Sequence, residues 1–333
     1  MRIAITSQDK ESDFQFTNNS PWQAFYTSIY SLGHEVVSVN DNFDVVIFMN
    51  HHQRLLNKIN ACQRNVRKIL VIWESPVTKP NMFELENLIH YDLIFSPSKV
   101  WQFGDKTRTF SWPQGFRADE FYNTMEFKKR DSLPVVFQNN KFSLAEGELY
   151  SLRRNVIKTF GDKLVVFGGG WNNPLITIKF LLGAIKTHGL WDLLRSPSKI
   201  ENAFIRVQNY QGLTHDKAVM LEKFKYTVVI ENSQEYISEK LFEALVAGCC
   251  VLYVGPRLED YGIPDVAIQC SPNAFTIKEK YTELLHDQSK VSEVLVCARN
   301  YLSSSHFKGM NNTLVLRKLA EDVCTEINSL GNL

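Results

Sequence analysis

Residues 226–256 read YTVVIENSQEYISEKLFEALVAGCCVLYVGP. The run Tyr226–Ile230 is apolar and rich in β-branched residues, as in a strand covered on both faces. It ends in a polar cluster made of Glu231, Asn232, Ser233, Tyr236, Ser238, Glu239 and Lys240. SEKLFEALVAG (238–248) then has helical spacing, with Ser238 placed to cap its start and Gly248 to stop it. CCVLYVG (249–255) is a second apolar run. Strand, helix and strand in succession define a βαβ unit, and with it a parallel sheet.

The same alternation extends in both directions. Toward the N-terminus, RIAIT (2–6), GHEVVSV (33–39), FDVVIFM (43–49), RKILVIW (67–73), YDLIFSPS (91–98) and TRTFSWPQG (107–115) read as strands. Helical spacing occupies WQAFYTSIYSL (22–32) and MFELENLI (82–89). RADEFYNTMEFKKRDS (117–132) is polar and charged, and the domain boundary is placed there. A second series follows: PVVFQN (134–139) as strand, AEGELYSLRRNVIKTF (145–160) as helix and KLVVFGGGW (163–171) as strand. Residues 175–211 give helices and loop around the apolar segment LITIKFLLGAI, and helices at 276–286, 290–303 and 313–329 end the chain. The expectation is an α/β protein of two domains in series, with ligands bound beyond the carboxyl ends of strands.

Composition sets the class. The chain has 333 residues, 44% of them hydrophobic and 22% charged, which is globular composition. A formal net charge of +1 gives no electrostatic case for nucleic acid as a partner. No apolar run is long enough to span a membrane, and the N-terminus MRIAITSQDKESD turns polar after Thr6, unlike a signal peptide. The six cysteines form no C-x-x-C, so reduced, mostly buried thiols are expected rather than disulfides or zinc. The resulting expectation is a cytoplasmic protein, with peripheral attachment to the inner face of a membrane left open.

Four polar clusters fall at the presumed strand ends. Glu74 in WESP (73–76) stands where a general base could meet a hydroxyl, or it caps a helix or pairs with a lysine. Gly168, Gly169 and Gly170 allow close backbone approach but do not supply G-x-G-x-x-G, and a plain turn explains them equally. Arg153 and Arg154 are adjacent, so one is expected to face solvent and the other inward, where a guanidinium would suit a diphosphate; an ordinary exposed pair is the alternative. In 231–240, Ser238 and Lys240 suit an anion at a helix start and Glu239 suits ribose hydroxyls, whereas helix capping alone leaves Glu231, Asn232 and Ser233 unexplained. His51 and His52 in MNHH (49–52) could touch an acceptor or simply cap a helix.

At these residues the sequence resembles the α-1,3/1,4-fucosyltransferases of glycosyltransferase family 10. FKYTVVIENSQEYISEKLFEALVAGCCVLYVG follows that family's order of strand, E-N-S, Tyr, E-K, helix and Y-x-G. WESP with HYDLIFSPS, and RNVIKTFGDKLVVFGGGW, resemble two further family segments, so the likeness covers roughly residues 70–260. Here Ser238 replaces the customary Thr, the segment before Tyr236 is shorter, and the Pro before Y-x-G is missing.

The resemblance implies a GT-B fold, two Rossmann-like domains with parallel sheets facing a central cleft. Residues 1–125 would form the acceptor side, 133–310 the donor domain, and 311–333 a helix packing back toward the first domain. It implies inverting transfer of L-fucose from GDP-fucose to a glycan hydroxyl in an α-1,3 type linkage. No convincing D-x-D motif accompanies a strand end, so no metal ion and no cofactor are expected. Carried over by position, Glu74 is the general base, Arg154 and Lys240 contact the donor diphosphate, and Tyr236 and Glu239 contact the donor. Asn232 and Ser233 shape the donor pocket. The same fold with another nucleotide-sugar donor, or a sugar-binding protein without catalysis, are the competing expectations.

Overall fold

A computed structural model describes residues 1–7, 22–62, 65–113 and 126–330. The chain divides into two compact units, Met1–Arg117 with Gly309–Leu333, and Ala118–Lys308.

The first unit is a six-stranded parallel sheet in the order β2-β1-β3-β4-β5-β6. Its strands are β1 (Arg2–Ile5), β2 (Glu35–Val37), β3 (Val45–Met49), β4 (Arg67–Val71), β5 (Leu93–Ser96) and β6 (Thr107–Thr109). Every residue of β3 is buried, which is why the run alternates in neither polarity nor size. Helices α1 (Gln23–Ser31), α2 (Gln53–Cys62) and the short α3 (Leu85–Leu88) connect the strands. The last helix of the chain, Asn312–Leu330, belongs to this unit. Its Leu316, Leu319, Val323 and Ile327 pack with Phe25 and Ile29 of α1 on the side chains of β1, β3 and β4. A two-pronged ion pair, Arg108 Nε to Glu326 Oε1 at 2.5 Å and a second nitrogen to Oε2 at 3.1 Å, ties the helix to the sheet.

The second unit repeats the architecture, with strand order β12-β11-β10-β7-β8-β9, again all parallel. The strands are β7 (Val135–Phe137), β8 (Val165–Phe167), β9 (Tyr210–Gly212), β10 (Tyr226–Ile230), β11 (Cys250–Val254) and β12 (Ile268–Gln269). Its helices are α4 (Tyr150–Phe160), α5 (Pro174–His188), α6 (Leu190–Leu194), α7 (Pro197–Ala203), α8 (Lys217–Leu221), α9 (Glu239–Val246), α10 (Ala274–His286), α11 (Gln288–Leu302) and α12 (Ser305–Gly309). Tyr226, Val228 and Ile230 of β10 and Cys250, Leu252 and Val254 of β11 point to the same core as Val156, Ile157 and Phe160 of α4. At about 1.5–3 kcal/mol for each fully buried aliphatic or aromatic side chain, this packing dominates the stability of the unit.

Local details depart from the sequence expectations for identifiable reasons. The helix expected over 145–160 begins only at Tyr150. Gly147 takes φ 72°, and the backbone of Glu148 and Leu149 is committed to residues 232–233 instead, with Leu149 N–H donating to Asn232 O at 2.9 Å. Strand β4 stops at Val71, because Trp73 N–H leaves the ladder and donates to Asn50 Oδ1 at 2.8 Å. Among the cysteines, Cys249, Cys250 and Cys324 are buried, Cys270 and Cys297 are half-buried and Cys62 is exposed, and all six are free.

Gly168 closes β8 at φ +131°, and a Cβ there would stand 2.0 Å from Gln138 O. Neither the dihedral nor the backbone contact tolerates a side chain. Gly168→Ala is expected to lower stability by about 2–4 kcal/mol, read as a fall in the urea midpoint. An unchanged midpoint would contradict this geometry.

Candidate active site

The polar cluster read from the sequence sits between the end of β10 and the start of α9. Glu231 continues the ladder by donating its N–H to Val254 O at 2.9 Å, and its side chain is wholly buried. A buried carboxylate needs donors, and the following turn supplies them. Ser238 N–H donates to Oε1 at 3.1 Å, and Ser238 Oγ donates to Oε2 at 2.5 Å. Lys240 Nζ lies 3.4 Å from the same Oε2 and 2.8 Å from Ser238 Oγ. Ser238 is the N-cap of α9, with its Oγ 3.4 Å from Lys240 N. Glu231 therefore has a structural role that capping by Ser238 alone does not reveal: it folds the turn back onto the strand.

Asn232 and Tyr236 are bonded to each other across the turn. Asn232 Nδ2 donates to Tyr236 OH at 2.8 Å. Ser233 is buried, with its Oγ 3.4 Å from Glu235 Oε2. Glu239, at the first position of α9, is half-buried, and its carboxylate has no partner among the described residues. The first-turn N–H groups of α9 and the Lys240 ammonium thus lie together with a free carboxylate beside them. Such a helix start attracts an anion and can also accept from hydroxyls.

The arginines correct the expectation of one solvated and one inward residue. Arg153 is 3% exposed and Arg154 is fully buried. Both can be covered because α4 packs against α10 and α7 as well as the sheet. Arg153 reaches the turn, donating to Ile230 O and to Asn232 Oδ1, each at 2.8 Å. Arg154 donates to Lys141 O at 2.5 Å, Asn140 Oδ1 at 3.4 Å and Ser151 Oγ at 3.3 Å. All these partners are neutral, and neither guanidinium makes a salt bridge among the described residues. Glu148 and Glu231 act on them only at longer range. Burial lowers both pKa values, that of Arg154 to about 10. Two adjacent buried cations without a direct carboxylate form a concentrated positive field.

Several buried polar atoms have no partner among the described residues: Gln138 Oε1, Arg153 Nε, Arg154 Nε and, near Glu231, Tyr253 OH. Gln138 Nε2 donates to Ile230 O at 2.9 Å, so it stands against the same strand end. The GGGW turn after β8 packs there too. Trp171 Nε1 donates to Gln138 O at 2.7 Å, and Tyr210 OH donates to Gly168 O at 2.8 Å. Sequence reading named Arg153 but gave the diphosphate contact to Arg154 alone, and it did not single out Gln138. The adjacency of the two arginines suggested that only one faces inward, and an isolated Gln after a strand gave no signal.

In the first unit, Glu74 is half-buried in the loop three residues beyond Val71, not directly at a strand end. The loop is oriented by Asn50, a buried non-glycine residue at φ 71°. Trp73 stacks on Trp112 at 4.6 Å and on Phe110 at 6.0 Å, with Trp22 at 4.5 Å. The 3-10 turn that follows at Pro80–Phe83 has Lys79 as its N-cap, so Glu74 does not cap it. His51 is bonded at both ring nitrogens, Nδ1 to Tyr91 OH at 2.7 Å and Nε2 to Gln53 Oε1 at 2.9 Å. Burial lowers its pKa. His52 Nε2 bonds to Ser7 O at 2.7 Å. Among the described residues no three His, Cys, Asp or Glu side chains gather as a metal-binding group, and no helix is long and apolar enough to cross a membrane.

No family model matches the chain, and no curated protein matches it in sequence. Solved structures do match its fold. Anabaena HepE in complex with UDP-glucose aligns over 98% of this chain and 100% of its own, with TM-score 0.59 and 10% identity. A glycosyltransferase from Rickettsia africae aligns over 93% of this chain and 83% of its own, with TM-score 0.52 and 12% identity. An α1,3-fucosyltransferase with GDP-fucose aligns over 88% of this chain at TM-score 0.47 and 12% identity, a likeness too slight to bear on the donor. Two parallel six-stranded sheets with this strand order and these neighbours give the chain the GT-B fold.

Proposed function

We propose that the chain is an inverting glycosyltransferase that moves L-fucose from GDP-fucose to a hydroxyl of a glycan. The observation that carries this reading is the pair of buried guanidinium groups on α4, Arg153 at the end of β10 and Arg154 at the loop after β7. Arg153 and Arg154 are buried without carboxylate partners, and Lys240 stands at the start of α9. A sugar diphosphate is the anion that would offset that charge, and guanidinium and ammonium groups bind its oxygens by charge-assisted hydrogen bonds. The choice of fucose and of GDP rests on the E-N-S to E-K block and its resemblance to the fucosyltransferases.

In this mechanism Glu74 accepts the proton of an acceptor hydroxyl while that oxygen forms a bond to the anomeric carbon. The bond from that carbon to the diphosphate oxygen breaks, and its electron pair leaves with GDP. Lys240, Arg154 and the dipole of α9 stabilise the charge that develops on the leaving group. Glu239, with a free carboxylate, accepts from the ribose hydroxyls. Tyr236, held by Asn232, contacts the donor. Glu231 and Ser238 act through Lys240, fixing its position. The cationic set does the work a divalent ion would do at the leaving group, so no metal is required.

A second donor remains a distinct reading, because the segment before Tyr236 is short and the HepE neighbour holds UDP-glucose. A panel of nucleotide sugars, scored by nucleotide release in the presence of EDTA, decides between them. GDP-fucose is expected to give the highest rate, unaffected by the chelator. A UDP-sugar as the preferred donor, or activity restored only by Mn²⁺, would overturn the corresponding part of the proposal.

A binding protein without catalysis is separated by one variant. Glu74→Ala is expected to keep nucleotide affinity within about twofold while lowering turnover roughly a hundredfold or more. Turnover unchanged in that variant would remove Glu74 from the mechanism.

A further inference from the structure

Helix α5 reads PLITIKFLLGAIKTH, yet Thr177 and Ala184 are its only buried residues. Leu175, Ile178 and Leu182 are 74, 43 and 60% exposed, and their spacing puts them on one face. Lys179 and Lys186 follow Leu175 and Leu182 by four residues, so they lie on that face as well. Helix α6 packs against α5 and adds Leu190, Trp191 and Leu194, at 51, 75 and 55% exposure. Beside the first turn of α5, a groove of about 470 Å³ lined by Pro174, Thr177, Phe204 and Arg206 extends the surface. Single exposed apolar residues are ordinary, but six on two consecutive helices mark an interaction surface.

The charge of the segment indicates what it meets. Among the basic residues of 174–206, Lys179, Lys186 and Arg206 have no carboxylate partner among the described residues, whereas Arg195 pairs with Asp192 and Lys199 with Glu148, in a chain whose net charge is only +1. We propose that the α5–α6 surface docks on a bilayer that carries anionic lipid. The apolar side chains enter the boundary between headgroups and acyl chains, and Trp191 takes the interfacial position that suits its ring. Lys179 and Lys186 extend their stems along the apolar face and set their ammonium groups among the lipid phosphates. The helix lies in the plane of the surface, since its apolar run is interrupted by lysines and falls short of a span. A second copy of the chain is a poorer occupant, because a two-fold pairing of this face would bring the lysines of the two copies together. This surface is independent of the reaction proposed above.

The test is flotation of the full chain with vesicles of phosphatidylcholine alone and with vesicles in which phosphatidylglycerol replaces part of it. The chain is expected to float with the anionic vesicles, to stay behind with the neutral ones, and to be released by high salt. The double variants Leu182→Glu/Trp191→Glu and Lys179→Glu/Lys186→Glu should each lower the bound fraction roughly tenfold. Both change exposed side chains, so thermal unfolding should match the unaltered chain; Trp191→Gln alone serves if one does not fold. Three results would overturn the proposal: no binding by the unaltered chain, binding undiminished by the variants, or a soluble dimer that the apolar variant dissociates.

Discussion

The buried carboxylate of Glu231 is the constraint on which the second unit's candidate site depends. A carboxyl group with no exposed surface needs its oxygens occupied, and here Ser238 and Lys240 occupy them. To do so, the chain must fold back over residues 232–237 and begin α9 beside the end of β10. That single requirement sets the start of the helix and places Lys240 on it. The tyrosine on the turn is fixed separately, through Asn232.

Arg153 and Arg154 extend the same argument. Arg153 binds the turn through Ile230 O and Asn232 Oδ1, whereas Arg154 binds the loop after β7 through Asn140 and Lys141. The two strand ends are therefore joined by one short piece of α4. The protein carries a cost for desolvating two guanidinium groups among neutral partners, and an anionic ligand is a physical reason for carrying it. The same helix that stabilises the core through Val156, Ile157 and Phe160 thus also delivers charge to the proposed donor site.

Much of the fold was legible because parallel strands buried on both faces must be continuous apolar runs. VVIFM (45–49), YTVVI (226–230) and CVLYV (250–254) could be read as strands directly, and the Gly248 stop separated helix from strand. The edge strands β2 and β6 of the first sheet were read, but those of the second sheet escaped for the opposite reason. β9 is YQG and β12 is two residues, half-exposed, and neither has a run to read. Helix α2 escaped because only Leu55, Leu56 and Ile59 of it are buried. At the site, residue types showed where polar chemistry gathers but not which groups spend their hydrogen bonds on the protein. Glu231 turned out to be engaged at both oxygens and His51 at both ring nitrogens, and adjacency on a helix did not prevent Arg153 and Arg154 from both being buried.

The claim with most resting on it is that the turn from Glu231 to Lys240 holds a nucleotide diphosphate. A crystal structure of the chain grown with GDP tests it most directly. The account predicts the diphosphate within hydrogen-bond reach of Lys240 Nζ and the first-turn N–H groups of α9, with the ribose at Glu239. Nucleotide bound elsewhere on the chain, with the Lys240 ammonium still confined to Glu231 and Ser238, would contradict it.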